Sequence, residues 1–315
     1  MLMSVVKPKL FMFGGCDLQD IAMSDIISKD FDVVHYATAN KREMDNAILD
    51  FNKGSFPSMG TSIISMYTKP GPLAQRILEN LYTADKRDIL ANRHVYYEVT
   101  KFPYLEFFKK NAGPSDYLLL GFSPELYTKF YFGNECFSCL PAMRRLRDPN
   151  QKLHWLYKEY FTKEEFLLPF DTRESLNWTS DIMSDFARDI YEIFQDRVIL
   201  VKTHLSDLAI ASDFSIKKIN LTTTDNLLFY RQTKMMSSPT DHTYADRLTL
   251  LILEKFRRRY ESDVDVVQLN EPVFIDPNHR WGHSQFHIDQ HSRNKLAKIV
   301  LELLLKKERK SILYD

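Results

Sequence analysis

The chain has 315 residues, of which 42 are basic, 42 acidic and 44% hydrophobic; it is long enough to bury a full core as one large domain or two modest ones. Its zero formal net charge removes the generic electrostatic case for nucleic acid or an anionic membrane surface as partner. An aromatic content of 13% argues against disorder, and three cysteines with 11 methionines make no disulfide framework, which points to a reducing, cytoplasmic setting.

Taken in chain order, the first segment carries Lys7, Pro8 and Lys9 within what would have to be the apolar stretch of a signal peptide, so export by that route is not expected. Lys9 to Phe13 reads as a strand, followed by Gly14-Gly15-Cys16 and then by an amphipathic helix over Asp17 to Lys29. Further strands are predicted at Phe31 to Tyr36, Asp116 to Leu120, Arg197 to Lys202 and Val264 to Leu269. Helical spacing covers Pro72 to Tyr82, Tyr104 to Lys110, Lys152 to Tyr160, Glu174 to Phe194, Thr243 to Tyr260 and Arg293 to Lys307. No apolar run approaches the ~20 residues of a membrane helix; Val198 to Val201 and Leu250 to Leu253 are core-sized, and no membrane span is expected.

Strands alternating with helices imply an α/β, doubly wound, flavodoxin-like fold: a mostly parallel five-stranded sheet with helices on both faces. Residues 37–68 and 122–147 are poorly periodic and rich in Ser, Gly, Asn and Pro, and read as insertions beside the carboxyl edge of the sheet. Strands fall on both sides of Arg147-Asp148-Pro149-Asn150, so the expectation is one domain over 1–315.

Two segments stand out chemically. Gly14-Gly15-Cys16-Asp17 lies where the first strand hands over to the first helix. Small residues let the backbone turn sharply, and a helix start offers unpaired N–H groups that favour a thiolate. The neighbouring Asp17 carboxylate pulls the thiol the other way. Cys16 is thus either a reactive thiol or a buried cysteine closing a strand; the spacing matches neither a dinucleotide fingerprint nor a P-loop. The second segment, Asp276 to His291, holds His279, His283, His287 and His291 at four-residue intervals. On a continuous helix that spacing would suggest a metal site, but Pro277 and Gly282 interrupt the helix, so no metal is expected. Asp276-Pro-Asn is itself an ordinary turn sequence, shared by Asp148-Pro149-Asn150. Four imidazoles just after the last strand should lie on the same side of the sheet as Cys16, where α/β sites form.

Cys136-Phe-Ser-Cys139 is a lone CxxC in an aromatic insertion and reads as two packed thiols rather than a zinc or redox pair. The basic runs Arg257-Arg258-Arg259 and Lys306-Lys307-Glu-Arg309-Lys310 lie near helix ends, where cations complement the dipole. Arg144-Arg145-Leu-Arg147 is a third such run.

These two terminal segments resemble the SGNH hydrolase superfamily, and more closely the capsule-locus proteins related to it. Those proteins carry Gly-Ser-Cys-x-x-Arg-Asp near the N-terminus and Trp-Gly-x-x-x-Phe-His-Tyr near the C-terminus. Here the counterparts are Gly14-Gly15-Cys16-Asp17-Leu18-Gln19-Asp20 and Trp281-Gly282-His283-Ser284-Gln285-Phe286-His287-Ile288. The resemblance implies an acyltransferase or esterase acting on a bacterial surface polysaccharide or its precursor. Cys16 would be the nucleophile and His287 the base, with His279 or Asp276 orienting the imidazole. Gly14, Gly15, Asp17, Asp20, Trp281, Gly282 and Phe286 would line the substrate surface. No cofactor is required; coenzyme A or an acyl-CoA is the implied donor, because capsule proteins of the WcbI kind bind coenzyme A and also place a cysteine in their first turn. Three departures from the pattern count against catalysis. Gly15 replaces the motif serine, Ser284 replaces the aspartate three residues before the histidine, and Gly121-Phe-Ser-Pro stands where an oxyanion-donating Gly-x-Asn-Asp block is usual. The alternative is a catalytically silent binding protein of the same fold, for a glycan, a nucleotide-linked precursor or a partner protein.

Overall fold

The computed structural model describes residues 7–22, 24–34, 63–82, 104–126, 129–137, 148–161, 173–206, 208–211, 213–218, 240–260, 264–276 and 287–314, with a few isolated positions between them, and for Cys16 and Asp17 the backbone alone. Its elements are β1 (Lys9–Phe13), α1 (Cys16–Ala22), α2 (Asp25–Ser28), β2 (Asp32–Val34), α3 (Ile63–Tyr67), α4 (Pro72–Tyr82), α5 (Tyr104–Asn111) and β3 (Tyr117–Gly121). They continue as β4 (Lys129–Phe132), β5 (Glu135–Phe137), α6 (His154–Leu156), β6 (Leu167–Leu168), α7 (Arg173–Phe194), β7 (Val198–Val201), β8 (Leu208–Ile210), β9 (Ile216–Lys218), α8 (Thr240–Arg259), β10 (Asp265–Val267) and α9 (Gln290–Tyr314).

Five strands form one parallel sheet in the order β10-β7-β3-β1-β2. This is the flavodoxin-like order: the chain winds outward from β1 to β2, crosses back to β3, and then winds outward the other way. All five predicted strands are present, and the sheet is doubly wound as expected. Alternate residues of each strand face opposite layers. Phe11, Phe13, Leu118, Leu120, Val198 and Leu200 pack with Tyr104 and Phe108 of α5, Phe186, Ile190 and Phe194 of α7, and Phe256 of α8. Leu10, Met12, Leu119, Ile199, Val201 and Val267 face the other way, against Leu18 and Ile21 of α1, Ile27 of α2, and Leu296, Val300 and Leu304 of α9.

The structure departs from the sequence reading at several elements. The single helix expected over Asp17 to Lys29 is two, α1 and α2. Ser24 is extended at φ −64 and ψ 148, which breaks the helix, and its side chain makes no cap bond; its backbone carbonyl accepts the Ile27 and Ser28 N–H groups that open α2. The helix expected over Lys152 to Tyr160 begins as α6 and widens into a π-type turn over Tyr157–Phe161. Within the second insertion, β4 and β5 are strands; with β6, beyond it, they form a small antiparallel sheet in the order β5-β4-β6. Helix α9 runs on to Tyr314, so the basic run at Lys306 lies inside it rather than at its end. No helix among the described residues is long and apolar enough to cross a membrane.

Candidate functional site

The topological switch point lies between the carboxyl ends of β1 and β3, where Gly14-Gly15-Cys16 and Gly121-Phe122-Ser123 emerge. Open α/β sheets bind ligands in this crevice. Gly14 has a φ of +156, and a Cβ there would stand 2.5 Å from Leu18 Cδ1 and 3.1 Å from the Gly121 carbonyl oxygen. A Cβ on Gly121 would meet the same Leu18 side chain at 2.9 Å. Glycine at both positions therefore lets α1 start directly over the sheet edge, and α1 begins at Cys16. Asp20 lies one helical turn further along, on the same face of α1 as Cys16.

The histidine segment reaches the same edge from the other terminus. Ile275 and Ile288 form an antiparallel bridge; the Asp276 N–H donates to the His287 carbonyl at 2.8 Å, and the Asp289 N–H donates to the Phe274 carbonyl at 2.7 Å. His287 is buried and stands two residues before Asp289, which caps α9. The Asp289 carboxylate accepts the Ser292 N–H at 3.0 Å and the Ser292 hydroxyl at 2.7 Å.

Arg293 joins the two segments. Its Nη1 lies 3.4 Å from Asp20 Oδ2, and its Nη2 lies 3.0 Å from Asp276 Oδ2 and 3.0 Å from Gln290 Oε1. The Arg293 and Asp20 side chains are 12% and 8% exposed, so this is a nearly dry ion network rather than a solvated surface pair. The other oxygen of Asp276 accepts the Asn278 N–H at 2.9 Å. Asp148 and Asn150 repeat that turn at 3.0 Å, so both Asp-Pro-Asn sequences make the turn the sequence predicts.

A further polar group sits at the end of β7. Lys202, Thr203, His204 and Ser206 are all buried. His204 Nε2 accepts the Leu269 N–H at 2.9 Å, which places the proton of the neutral ring on Nδ1. Sequence reasoning missed Arg293, Asp289 and His204. The available signal for His204 was the polar triplet Lys-Thr-His directly after the apolar Val-Ile-Leu-Val.

Of the residues singled out in the sequence, the structure brings Gly14, Gly15, the Cys16 and Asp17 backbone, Asp20, Asp276 and His287 to one edge. His279, His283, Trp281, Gly282, Ser284 and Phe286 lie outside the described residues, as do Cys139, Arg144, Arg145 and Arg147. His291 is exposed on the first turn of α9. Because α9 starts at Gln290, His287 and His291 do not share a helix, and among the described residues no group of three or more His, Cys, Asp or Glu gathers as a metal site. Cys136 is buried on β5, in keeping with a packing role.

No family model, no curated protein and no solved structure matches this chain.

Chemically, the edge brings together a cysteine backbone position at the start of a helix, a buried histidine, and a carboxylate that accepts from Arg293 and from Asn278. An ionised carboxylate has about four lone-pair sites, so Asp276 retains acceptor capacity beyond its bonds to Arg293 and Asn278.

Proposed function

We propose that the protein is an SGNH-like acyltransferase or esterase acting on a bacterial surface glycan or its precursor. In this mechanism His287 takes the Cys16 proton, and the thiolate attacks the carbonyl carbon of an acyl ester or thioester. The tetrahedral oxyanion is held by backbone N–H groups at Gly15 to Asp17, and collapse expels the alcohol or thiol, which leaves with the proton from His287. Water or a sugar hydroxyl then takes the acyl group from Cys16 by the reverse sequence. Asp276 or His279 orients the imidazole, and coenzyme A is the expected carrier of the acyl group.

The observation that supports this reading most is the convergence of the Cys16 turn and the His287 segment at the switch-point edge, linked through Asp20, Arg293 and Asp276. A thiolate is intrinsically nucleophilic and needs only a nearby imidazole to be generated. Replacing Cys16 or His287 by Ala should each abolish turnover of an activated acyl ester, and intact mass should show an acyl adduct on the wild-type chain and none on Cys16→Ala. Full turnover in either variant would sink the assignment.

Gly15, in the place of a motif serine, favours a second reading, a silent member of the same fold that binds a glycan or a nucleotide-linked precursor. An acyl adduct at Cys16 counts against it. Saturable glycan binding without any adduct counts for it.

A further inference from the structure

We propose that Arg293 is a positioning residue that holds the Cys16 turn in register with His287 by bridging Asp20 and Asp276. The proposal rests on the acyl-transfer reading and adds to it a residue that neither terminal motif contains.

Arg293 sits on the first turn of α9, where its N–H donates to the Asp289 carbonyl at 3.0 Å. A cation there opposes the helix dipole, and burial of a guanidinium is unfavourable unless it is paired. Its Nε is buried and has no hydrogen-bond partner. A buried ion pair is commonly no more stabilising than a well-packed apolar side chain of the same volume, so stability alone does not account for this placement. The connections do. Asp20 is four residues beyond Cys16 on α1, and Asp276 holds the His287 backbone through its own N–H. The planar fork of arginine can engage two carboxylates on separate elements at once, which the single ammonium of lysine does not reproduce. The path from the Cys16 backbone to the His287 backbone thus runs through one turn of α1, the guanidinium, and one backbone hydrogen bond. Loss of the guanidinium removes the group that contacts both carboxylates and lets the two segments separate.

The test is the pH dependence of Cys16 alkylation by iodoacetamide, followed by peptide mass spectrometry on the full-length chain. Wild type should alkylate with a midpoint below the ~8.5 of a free thiol. His287→Ala and Arg293→Ala should both return it there, with a rate at pH 7 about tenfold lower as the thiolate fraction falls. Arg293→Lys should not restore the profile. Millimolar guanidinium should restore it partly in Arg293→Ala and not at all in His287→Ala, a rescue that a merely structural role would not produce. Arg293→Met keeps the bulk of the side chain if the alanine variant unfolds, and Asp20→Asn breaks one arm alone. A folded Arg293→Met or Asp20→Asn variant with the wild-type profile overturns the positioning role while leaving the acyl-transfer reading intact. An ordinary thiol profile in wild type, unmoved by His287→Ala, overturns both.

Discussion

At the amino edge of the central sheet Arg197 donates to backbone carbonyls, those of Gly113 at 2.8 Å, Asp116 at 3.1 Å, Phe194 and Ile193 at 3.2 Å, and Pro114. At the carboxyl edge Arg293 meets the side chains of Asp20, Asp276 and Gln290. Asp116 continues the first pattern, with one carboxylate oxygen accepting the Lys9 N–H and the other the Gly113 N–H, both at 2.7 Å. Backbone carbonyls and amides are fixed by the fold and do not titrate, so charges fastened to them lock where the strands begin. Side-chain partners belong to the segments that carry them, and a charge fastened to side chains sets how those segments stand to one another. One edge holds strand register, and the other joins segments from opposite ends of the chain. Helix α9 touches both: Lys307 near its far end reaches the Asp196 carbonyl at 2.6 Å and Asp265 at 2.9 Å, about 21 Å along the helix from Arg293 at 1.5 Å per residue.

This division can be broken most severely at Arg197. Its replacement by Ala removes several charge-assisted bonds to part-buried carbonyls and should cost about 3 kcal/mol of stability, since such bonds contribute ~1.5–3 kcal/mol each and do not add. The shift should appear in the urea midpoint while the Cys16 alkylation profile stays at its wild-type position. A change in that profile would show that the two edges are not separable. A milder break is Asp116→Asn, which keeps the shape but offers one accepting oxygen where two N–H groups need one each; a loss of about 1–2 kcal/mol is expected in the same melt.

The smallest effect is confined to alkaline pH. Burial raises the Tyr117 hydroxyl to about 12. Tyr260 is raised by burial and by the nearby Asp196 carboxylate, and Tyr67 by burial and by its 2.6 Å bond to Asp189. In each the folded pKa stands above the ordinary value of ~10. Above pH ~10 the unfolded chain releases protons that the folded chain retains, so stability falls as pH rises from there, and is unaffected below it. Two of the three, Tyr117 and Tyr260, belong to the amino edge, where the Tyr260 hydroxyl donates to the Gln195 carbonyl. Unfolding midpoints at pH 8, 10 and 11 should decline in that order, and Tyr117→Phe should flatten the decline. An equal slope in that variant would remove Tyr117 from the account.

Much of this fold was legible because its strands are short apolar runs whose neighbours in sequence already terminate them. Lys9 to Phe13 and Tyr117 to Gly121 end in glycines, and Val198 to Val201 gives way at once to Lys202. The break at Ser24 was harder, since the apolar spacing of Asp17 to Lys29 continues across it and only the extended backbone of Ser24 divides the two helices. The candidate site was legible at its two ends, the Gly-Gly-Cys turn and the histidine segment, because glycine and histidine declare themselves by type. Its links were not. Arg293 finds Asp20 at a separation of 273 residues, His204 finds Leu269 at 65, and the carboxylate of Glu135 caps the start of α4, at the Leu73 and Ala74 N–H groups, across 62 and 61. Such partners are created by the sheet order, and no local pattern announces them.

Leu18, which fills the space of two missing Cβ atoms above Gly14 and Gly121, has a consequence for how this chain can evolve. The three positions form one unit of descent rather than three independent sites. A methyl group at Gly121 collides with a flexible side chain and becomes acceptable once Leu18 is shortened, so those two substitutions are permissive partners whose order matters. A methyl at Gly14 also meets the Gly121 carbonyl and a positive φ, which no change at Leu18 relieves. Lineages that alter this turn are therefore expected to change residues 18 and 121 together and to keep glycine at 14.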